Sequence, residues 1–374
     1  MYLYFFSKEE GCDIRGIVRG DSIVIGDMSL RLSYMLDATP GVFGRAIEKF
    51  DSYLEFLSRT IGPKLEGKKV VVWFSGGKDS TTSLIVLLEL QEYISLNLRV
   101  YYIHAPLLDG RRNLSFVDEV SRRLNIDIEI ESIGREKMED LLWYFGMPFR
   151  GFRWCTYHAK IRPMRGIRRR LGFDYEVSSE RLFESYKRFE SLREYAKRKM
   201  FISGRQLKPT YFFTILDVVD ILKKHNAIHP DYLRGCSRVS CSICPYRTIF
   251  ELEETIDDLE DPGLIESILR KTFLERYKHA VGWEDYLEFS LWRFSPKMVG
   301  GILRLKQLVH RMGGYITSED IRRALSTMWH TKFDAPKLEL DEITELMLEA
   351  YRTRKYGILN LGLEPIFLST NSET

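Results

Sequence analysis

Phe74-Ser75-Gly76-Gly77-Lys78-Asp79-Ser80 joins two segments of different character. Residues 69–73 form an apolar run that predicts a buried parallel strand. Residues 81–90 have the apolar pattern of a helix packed on a sheet. A glycine turn between a strand and a helix N-terminus gathers free backbone N–H groups and the positive end of the helix dipole at one point. The stretch therefore predicts an anion site, in which the glycines admit a phosphate and the lysine adds a point charge.

This stretch differs from the two best-known glycine-rich phosphate motifs. The pattern GxxxxGK[ST] requires a glycine at position 72 and a hydroxyl residue at position 79, where this chain has Val72 and Asp79. The GxGxxG pattern does not fit either. A plain strand-to-helix turn, with glycines needed only for backbone geometry, is the alternative. Because the motif and its flanking strand and helix agree, the phosphate site is favoured.

The chain from residue 68 to about residue 230 alternates strand and helix signals. The predicted strands are 98–104, 126–130 and 175–178, and the predicted helices are 115–124, 137–145 and 161–171. This order predicts an α/β fold, a parallel sheet with helices on both faces. Ligands of such sheets bind at the carboxyl ends of the strands, where the glycine stretch is expected.

Two regions of different character flank this domain. Residues 1–62 combine short apolar runs with glycines and predict a small β-rich N-terminal module followed by a linking helix at 45–59. Past residue 250 a helical pattern predicts an all-α C-terminal region, with helices at 264–277, 296–312 and 341–354. We therefore predict three domains, residues 1–62, 63–250 and 251–374.

The 374 residues carry a net charge of +3, which by itself requires no nucleic-acid partner. Residues 150–170 nevertheless hold eight lysines and arginines, and residues 187–199 form a second basic stretch. A nucleic-acid surface, a solvated helix face or an anionic nucleotide pocket would each explain them. No apolar run reaches membrane-spanning length and residues 1–10 lack the layout of a signal peptide, so we expect a cytoplasmic protein with no membrane partner.

Three of the five cysteines lie within nine residues, in the pattern Cys236-x4-Cys241-x2-Cys244. Thiolates on such a tight loop can hold one metal centre, and Cys155 is the distant candidate for a further ligand. Four thiolates suit Zn²⁺ or a [4Fe-4S] cluster, and spacing alone does not separate the two. Buried inert cysteines are the alternative, a disulfide framework is less favoured in the cytosol, and Cys12 is most simply a structural residue.

Ser-Gly-Gly-Lys-Asp-Ser resembles the PP-loop of the ATP pyrophosphatase (adenine nucleotide alpha hydrolase) superfamily. In that superfamily the loop holds the phosphates of an adenine nucleotide, and ATP is typically cut between its α and β phosphates. Three further segments resemble the phosphoadenosine phosphosulfate (PAPS) reductase family in order and spacing. They contain Arg153-Trp154-Cys155, Arg181-x-x-Glu184-Ser185-x-x-Arg188 and Cys241-x-x-Cys244-Pro245. The match covers residues 68–250 approximately, and the two flanking regions lie outside it.

The resemblance implies a nucleotide site. Its phosphate-binding residues would be Ser75, Gly76, Gly77, Lys78, Asp79 and Ser80. Lys78 and Asp79 would be catalytic, with Mg²⁺ bound to the phosphates of ATP. Arg181 and Arg188 would face anionic groups of the nucleotide, since guanidinium groups match phosphate or sulfate oxygens. Glu184 and Ser185 would shape the same pocket. A charged helix face with partners three and four residues apart is the alternative for this last segment.

The sequence departs from the family pattern at four places. Residues 104–109, His-Ala-Pro-Leu-Leu-Asp, stand where the family has a Thr-Gly acidic segment on the adenosine side. Ser179 replaces a glycine just before the R-x-x-E-S segment. Thr156 replaces one of two adjacent cysteines of cluster-bearing members, a ligand that Cys236 can supply. Sulfonucleotide reductases attack sulfur with a C-terminal cysteine, and no cysteine follows Cys244 here.

Three functions are compatible with these features. The first is a PP-loop enzyme that cleaves ATP between the α and β phosphates to adenylylate an acceptor and takes part in iron–sulfur-dependent sulfur transfer. Its acceptor could be tRNA or another nucleic acid, and a sulfur or electron donor protein would be its partner. The second is a sulfonucleotide reductase acting on adenylyl sulfate or PAPS, which the missing nucleophile opposes. The third is a nucleotide-binding protein with structural zinc and no turnover.

Overall fold

The computed structural model describes residues 2–7, 12–19, 22–25, 28–31, 44–182, 184, 186–312, 318–331, 335–342, 344–345 and 363–369. The strands in this part of the chain are β1 (Tyr2–Ser7), β2 (Cys12–Arg19), β3 (Ser22–Ile25), β4 (Met28–Arg31), β5 (Lys68–Phe74), β6 (Leu96–His104), β7 (Ile128–Ser132), β8 (Tyr175–Val177), β9 (Ile202–Ser203), β10 (Gln206–Leu207) and β11 (Leu363–Ser369). They form one sheet of five strands and one of six.

The described helices are α1 (Phe50–Leu65), α2 (Lys78–Leu90), α3 (Arg111–Arg123), α4 (Arg135–Phe145), α5 (Arg162–Leu171), α6 (Tyr186–Arg198), α7 (Ile215–Lys224), α8 (Pro230–Leu233), α9 (Ile249–Glu253), α10 (Pro262–Arg276), α11 (Trp283–Glu288), α12 (Val299–Met312) and α13 (Ser318–His330). A π-helical segment, Thr156–Ile161, leads directly into α5. Among these helices none combines the length and the apolarity needed to cross a bilayer.

The six-stranded sheet determines where a ligand can bind. Its order is β7-β6-β5-β8-β10-β9, and neighbouring strands are parallel except for β9 and β10. The chain leaves β5 toward β6 on one side of it and later returns to β8 on the other side, so the strand order reverses at β5. Ligands of parallel sheets bind at such a reversal, beyond the carboxyl ends of the strands. The glycine stretch follows β5 and therefore opens at this point.

Helices cover both faces of the six-stranded sheet. Val70, Val72 and Phe74 of β5 pack with α1, α2 and α7 in one apolar cluster. Val71 packs on the other face in a cluster that includes Ile167 of α5. This division follows from the period of two along a strand, which sends alternate side chains to opposite faces. The prediction of an α/β parallel sheet with helices on both faces is confirmed.

A further apolar cluster joins the C-terminal helices to the loops near the carboxyl edge of the sheet. It includes Leu107 after β6, Trp154 before the π-helical segment and Ile268 of α10. Cys155 and Cys241 pack against it. The helical region past residue 250 therefore helps to position the segments that carry the cysteines.

Most predicted elements of the central domain occur with shifted ends. The largest shift concerns α1, predicted at residues 45–59, which begins at Phe50 and continues through Pro63 to Leu65. The Gly62-Pro63 pair suggested an earlier stop because proline usually ends a helix. Since Pro63 lies in the last turn and Leu65 is fully buried, tertiary packing maintains the helix to its end.

The five-stranded antiparallel sheet has the order β11-β1-β2-β3-β4. Strands β1–β4 agree with the β-rich character predicted for the N-terminal module. Strand β11 was not predicted, and the all-α description of the C-terminal region omits it. Pro365 lies in β11 and cannot donate a backbone hydrogen bond, but β11 is at the sheet edge, where proline is tolerated, and the β1–β11 register shifts beside it. The helix predicted at 341–354 lies mostly outside the described residues, and the three-domain division stays a prediction.

Candidate functional site

The glycine stretch forms a tight loop at the start of α2. The carbonyl of Gly77 accepts the Thr81 N–H and the Ser80 hydroxyl, each at 3.0 Å. The Ser80 hydroxyl oxygen also lies 2.9 Å from Ser75 Oγ and accepts the Ser75 N–H at 3.2 Å. These bonds wrap the loop around the helix N-terminus, where the helix dipole favours an anion. The structure therefore brings the residues predicted to bind phosphate into one loop.

Gly76 occupies a backbone conformation that other residues rarely adopt, with φ of +72°. A Cβ at this position would lie 3.5 Å from Phe116 and 3.8 Å from His229, which are ordinary contact distances. The loop therefore requires glycine here for its backbone conformation rather than for space.

Two cations hold the Asp79 carboxylate beside the loop. Arg181 Nε donates to Asp79 Oδ1, and Lys78 Nζ lies 3.4 Å from Asp79 Oδ2. Burial raises the pKa of Asp79, but Arg181 and Lys78 outweigh burial and lower it overall. Arg181 also donates to the Phe213 carbonyl at 3.2 Å, which fixes its guanidinium. Two positive charges and one negative charge leave an excess positive charge that suits a polyphosphate.

Tyr232 binds the same loop, although the sequence analysis did not single it out. Its hydroxyl accepts the Lys78 N–H at 3.0 Å, and its ring centre lies 5.6 Å from Lys78 Nζ. Burial lowers the pKa of Lys78, but Tyr232 and Asp79 raise it overall, so the lysine stays charged. The Trp329 ring of α13 stacks on Tyr232 with ring centres 4.8 Å apart. Tyr232 therefore connects a C-terminal helix to the phosphate loop.

His229 is a second residue that the sequence analysis missed. Its buried ring lies 4.6 Å from the Phe116 ring, and its Nδ1 accepts the Asp231 N–H at 3.1 Å, which leaves the proton on Nε2. Among the described residues Nε2 has no hydrogen-bond partner. Burial lowers the pKa of His229 to about 4, so the ring is neutral at pH 7. Its only sequence signal was its place within residues 68–250, the part of the chain that resembles the family.

The R-x-x-E-S segment divides between the pocket and the surface. Arg181 is buried beside the loop, whereas Arg188 pairs with Glu180 and lies 3.5 Å from Glu184. These last three side chains are between 32% and 40% exposed. Glu184 still acts on the pocket because it helps to raise the pKa of Lys78. Ser185 lies outside the described residues.

Three of the predicted metal-ligating cysteines share one electrostatic environment. Cys244 raises the pKa of both Cys155 and Cys241. All three cysteines raise the pKa of Lys160. Burial raises the pKa of Cys241 to about 12, and the Lys160 ammonium opposes this rise. The negative charge of Cys241 is in turn the strongest influence on Lys160 and raises its pKa. The Lys160 ammonium thus favours the thiolate forms of Cys155 and Cys241, and the thiolate is the form that binds metal.

Cys236 belongs to a different group of charges. Its N–H donates to the Asp231 carbonyl at 2.9 Å, and its side chain is buried. Burial raises the pKa of Cys236 to about 12, while Asp231 adds to the rise and Arg247 opposes it. Cys236 as a fourth metal ligand therefore stays a prediction. Cys12 lies in β2, and its side chain is not among those described.

A family comparison agrees with this geometry. Residues 69–247 match the model of the phosphoadenosine phosphosulfate reductase domain. This part of the chain is similar to the PAPS reductase domain. The match begins in β5 and includes the phosphate loop, Arg181 and the three clustered cysteines. The resemblance inferred from the sequence motifs is confirmed for this part of the chain.

Two curated relatives are uncharacterized proteins of Methanocaldococcus jannaschii. One is 27% identical over 239 residues, which cover 62% of this chain and 46% of the relative. The other is 22% identical over 236 residues, which cover 61% of this chain and 55% of the relative. The chain thus spans about half the length of the curated relatives it matches.

Solved structures with partial similarity include two sulfur-handling proteins. The U34-tRNA thiolase NcsA from Methanococcus maripaludis with its [4Fe-4S] cluster is 18% identical, with a TM-score of 0.37 over 60% of this chain and 79% of that chain. The PAPS reductase from Candida auris is 12% identical, with a TM-score of 0.33 over 52% of this chain and 97% of that chain. Because these scores are low, the fold assignment rests on the sheet order and on the family match.

Among the described residues, no three His, Cys, Asp or Glu side chains are placed to hold a single metal ion. A [4Fe-4S] cluster binds each thiolate to a different iron, so its ligands stand farther apart than the ligands of one ion. A [4Fe-4S] cluster and Zn²⁺ therefore both stay predictions for these thiols.

An ion-pair centre holds the loop that carries Cys241 and Cys244. Asp231 binds Arg247 at 2.9 Å and Arg112 at 3.1 Å, and all three side chains are at most 20% exposed. Arg247 Nε donates in turn to the Cys241 carbonyl at 3.0 Å. No sequence motif signals this centre, because its members are far apart in the chain.

Asp231→Ala is expected to destabilise the PAPS reductase-like domain by about 3–5 kcal/mol, because it leaves Arg247 buried without its counter-charge. Urea unfolding followed by circular dichroism measures the loss. Asp220→Ala is the matched control, since Asp220 is 47% exposed and its pair with Arg45 should contribute no more than about 1 kcal/mol. Equal losses in the two variants would contradict a structural role for the buried centre.

The segment that departs from the family pattern, residues 104–109, forms a polar network at the carboxyl end of β6. Asp109 is buried and accepts hydrogen bonds from Tyr102 and Asn113. His104 Nδ1 lies 3.5 Å from its carboxylate. The network connects the sheet edge with the cysteine group, because the Asp109 carboxylate also raises the pKa of Lys160.

The network predicts a pH dependence of stability. Burial raises the pKa of Asp109, but His104 and Lys160 outweigh burial and lower it to about 2, from 3.8 in an unfolded chain. A carboxylate with a lowered pKa stabilises the fold above pH 3.8 and loses that contribution as the pH falls to about 2. Between pH 4 and pH 2 the free energy of unfolding of wild type should therefore fall by about 2 kcal/mol more than that of Asp109→Asn, as measured by urea unfolding. The exposed Glu92→Gln variant is the control, and its free energy of unfolding should change with pH as that of wild type does. The prediction would be wrong if the free energy of unfolding of Asp109→Asn fell as much as that of wild type between pH 4 and pH 2.

Proposed function

We propose that this PAPS reductase-like domain binds ATP at residues 75–80, cleaves it between the α and β phosphates to adenylylate an acceptor, and transfers sulfur to the activated acceptor. The observation that supports this most is the path of residues 229–247, which contact the phosphate loop at one end and carry two clustered thiols at the other. A single short segment thus connects a nucleotide site with a sulfur-binding site.

Direct contacts support this connection. Tyr232 accepts the Lys78 N–H, and His229 lies against Gly76. Asp231, between these two residues in the chain, binds Arg247. Because Arg247 holds the Cys241 carbonyl, a shift of the phosphate loop on nucleotide binding can reach the thiols through a few rigid contacts.

The first step is attack of an acceptor oxygen on the α-phosphorus of ATP. The bond to the β-phosphate breaks, and pyrophosphate leaves with the bonding electron pair. Lys78 and the N–H groups at the start of α2 stabilise the charge that develops on the phosphate oxygens, as does Mg²⁺ bound to ATP. Arg181 keeps Asp79 ionised beside the lysine. Asp79 is our candidate to orient the Mg²⁺ or a water bound to it.

The second step is displacement of AMP by sulfur. A sulfide nucleophile attacks the acceptor carbon that bears the adenylylated oxygen, and AMP leaves with the electron pair of the C–O bond, so the step involves no net oxidation or reduction. A [4Fe-4S] cluster held by Cys155, Cys241 and Cys244 would supply a binding site for that sulfur. The Lys160 ammonium favours the thiolate forms of Cys155 and Cys241 against the effect of burial. The sequence predicted Cys236 as a fourth ligand, but it belongs to a different group of charges, so we propose three thiol ligands, with Zn²⁺ as the alternative metal.

The acceptor in this proposal is a base of tRNA or another nucleic acid, and the sulfur comes from a donor protein. A carbonyl oxygen of a base can be adenylylated and then replaced by sulfur. The positive charge of the basic residues between 150 and 170 suits such a polyanionic acceptor. Because Cys155 lies within the same stretch, an acceptor bound there would be close to a thiol in the chain.

The proposal is tested with anaerobically purified protein, ATP, sulfide and bulk tRNA. We expect AMP and pyrophosphate in equal amounts, together with sulfur incorporated into the RNA. Formation of ADP and phosphate would contradict cleavage between the α and β phosphates. Metal analysis and the absorbance near 400 nm test the cluster, and a colourless protein with one tightly held zinc would contradict it.

A sulfonucleotide reductase is the second candidate, because the matched domain family is named for that activity. The absence of cysteine from residues 245–374 does not favour it. Thioredoxin-dependent release of sulfite from adenylyl sulfate or PAPS would support this candidate. If no sulfite is released in that assay and pyrophosphate is released from ATP, the results would support sulfur transfer.

A further inference from the structure

The basic stretch between residues 150 and 170 divides into two kinds of arginine. Arg168 and Arg170 pair with Glu176 and Glu131 and thus have internal partners. Arg162, Arg165 and Arg169 are exposed, and among the described residues no carboxylate lies within the 4 Å of an ion pair with any of them. Spacings of three and four residues place these three on one face of α5. Structural ion pairs therefore do not account for this face.

Exposed aromatic rings accompany these arginines. Tyr157 is 47% exposed, and the Arg165 guanidinium lies 5.7 Å from its ring centre. Tyr246 is 36% exposed, and the Arg153 guanidinium lies 5.1 Å from its ring centre. Rings and guanidinium planes stack on the faces of unpaired bases. We call Arg153, Tyr157, Arg162, Arg165, Arg169 and Tyr246 the arginine–aromatic surface.

Two aromatic residues of this surface are close to the clustered thiols in the chain. Tyr157 follows Cys155 by two residues, and Tyr246 follows Cys244 by two residues. The two segments are joined because Arg150 Nε donates to the Pro245 carbonyl at 2.9 Å. A polymer bound on the surface would thus pass beside the sulfur-binding site.

We propose that the arginine–aromatic surface binds a single-stranded segment of RNA, with its phosphates on Arg162, Arg165 and Arg169 and unpaired bases stacked on Tyr157 and Tyr246. The inference rests on the proposed sulfur transfer to a nucleic acid and adds the place and the form of that acceptor. Charge alone would suit any polyanion, but exposed rings beside the arginines favour unpaired bases over a duplex, whose bases are already stacked. A base that reacts with sulfur must also leave the stack to reach a site of this kind.

The test measures binding to the full chain, without ATP, by fluorescence anisotropy with a labelled single-stranded RNA of about 12 nucleotides. The same RNA annealed to its complement and a polyphosphate chain are the comparison ligands. The triple variant Arg162→Glu, Arg165→Glu, Arg169→Glu should weaken single-strand binding at least tenfold. It should also reduce the slope of log K against log salt by about 2, since each lost phosphate contact removes about 0.7. Lys197→Glu, Arg198→Glu, Lys199→Glu is the matched control, with the same charge change at the end of α6, and should leave both quantities nearly unchanged.

Tyr157→Ala with Tyr246→Ala tests the stacking. We expect weaker binding of the single strand, with the affinity for polyphosphate unchanged. Equal affinity for single strand, duplex and polyphosphate, or equal losses in the two charge variants, would overturn the proposal. Binding that behaves as expected without any sulfur incorporation would uphold the surface and refute the proposed reaction. If the triple variant at positions 162, 165 and 169 released pyrophosphate and transferred sulfur to RNA like wild type, the reaction would be upheld and the surface refuted.

Discussion

Lys78→Ala is expected to reduce pyrophosphate release from ATP by about 10²–10³-fold, which is the usual loss when one preorganised charge donor is removed from a reaction site. Lys78 is the loop's own cation, and Tyr232 and Asp79 hold it in its charged form. Because it should act on the phosphates as negative charge develops, the loss should appear mainly in kcat. Steady-state kinetics of pyrophosphate release with saturating ATP measures it.

The fold should survive this substitution. Asp79 keeps its bond to Arg181 when the lysine is removed, so no buried charge loses every partner. Lys64→Ala, at an exposed position in the last turn of α1, is the control for loss of a lysine and should keep full activity. A Lys78→Ala variant that unfolds at the wild-type temperature and keeps its activity within about threefold would show that the loop does not act on reacting phosphates.

The sequence predicted the phosphate loop because its signals are local. A buried strand, two glycines and a helix start occupy adjacent positions, and each has a short-range physical meaning. The contact between Arg181 and Asp79 has no such signal, since 102 residues separate the two in the chain. The family resemblance assigned Arg181 to the nucleotide, whereas the structure places it on the loop's own carboxylate. A sequence pattern names the residue types at a site but not which of them neutralise one another.

The residues that the sequence analysis missed have the same explanation. His229 and Tyr232 matter because α8 lies against the phosphate loop, which is a property of the tertiary fold. Strand β11 pairs with β1 from the opposite end of the chain, a pairing that no local pattern signals. The cysteine spacing likewise predicted a metal centre but did not indicate that Cys236 and Cys241 have different charged neighbours.

The cysteine variants should separate sulfur transfer from ATP cleavage. Cys155→Ala, Cys241→Ala and Cys244→Ala should each lower the iron content and the absorbance near 400 nm of anaerobic protein by about tenfold or more. Loss of an outer-shell partner alone costs 10–100-fold in metal affinity, and a direct ligand should cost at least as much. Sulfur incorporation should fall in parallel. Pyrophosphate release should stay near the wild-type rate, because Lys78 and Arg181 do not depend on the thiols.

Cys236→Ala is the matched control within the same segment of the chain. Its thiol is buried among Asp231, Arg247 and Glu251 rather than around Lys160, so we expect this variant to keep its iron and its sulfur transfer. Three protein ligands would then leave one iron of the cluster open to an external sulfur, in the way that catalytic metal sites keep an open position. Loss of iron in Cys236→Ala equal to that in Cys241→Ala would instead make Cys236 the fourth ligand, close that position and require the sulfur to bind elsewhere.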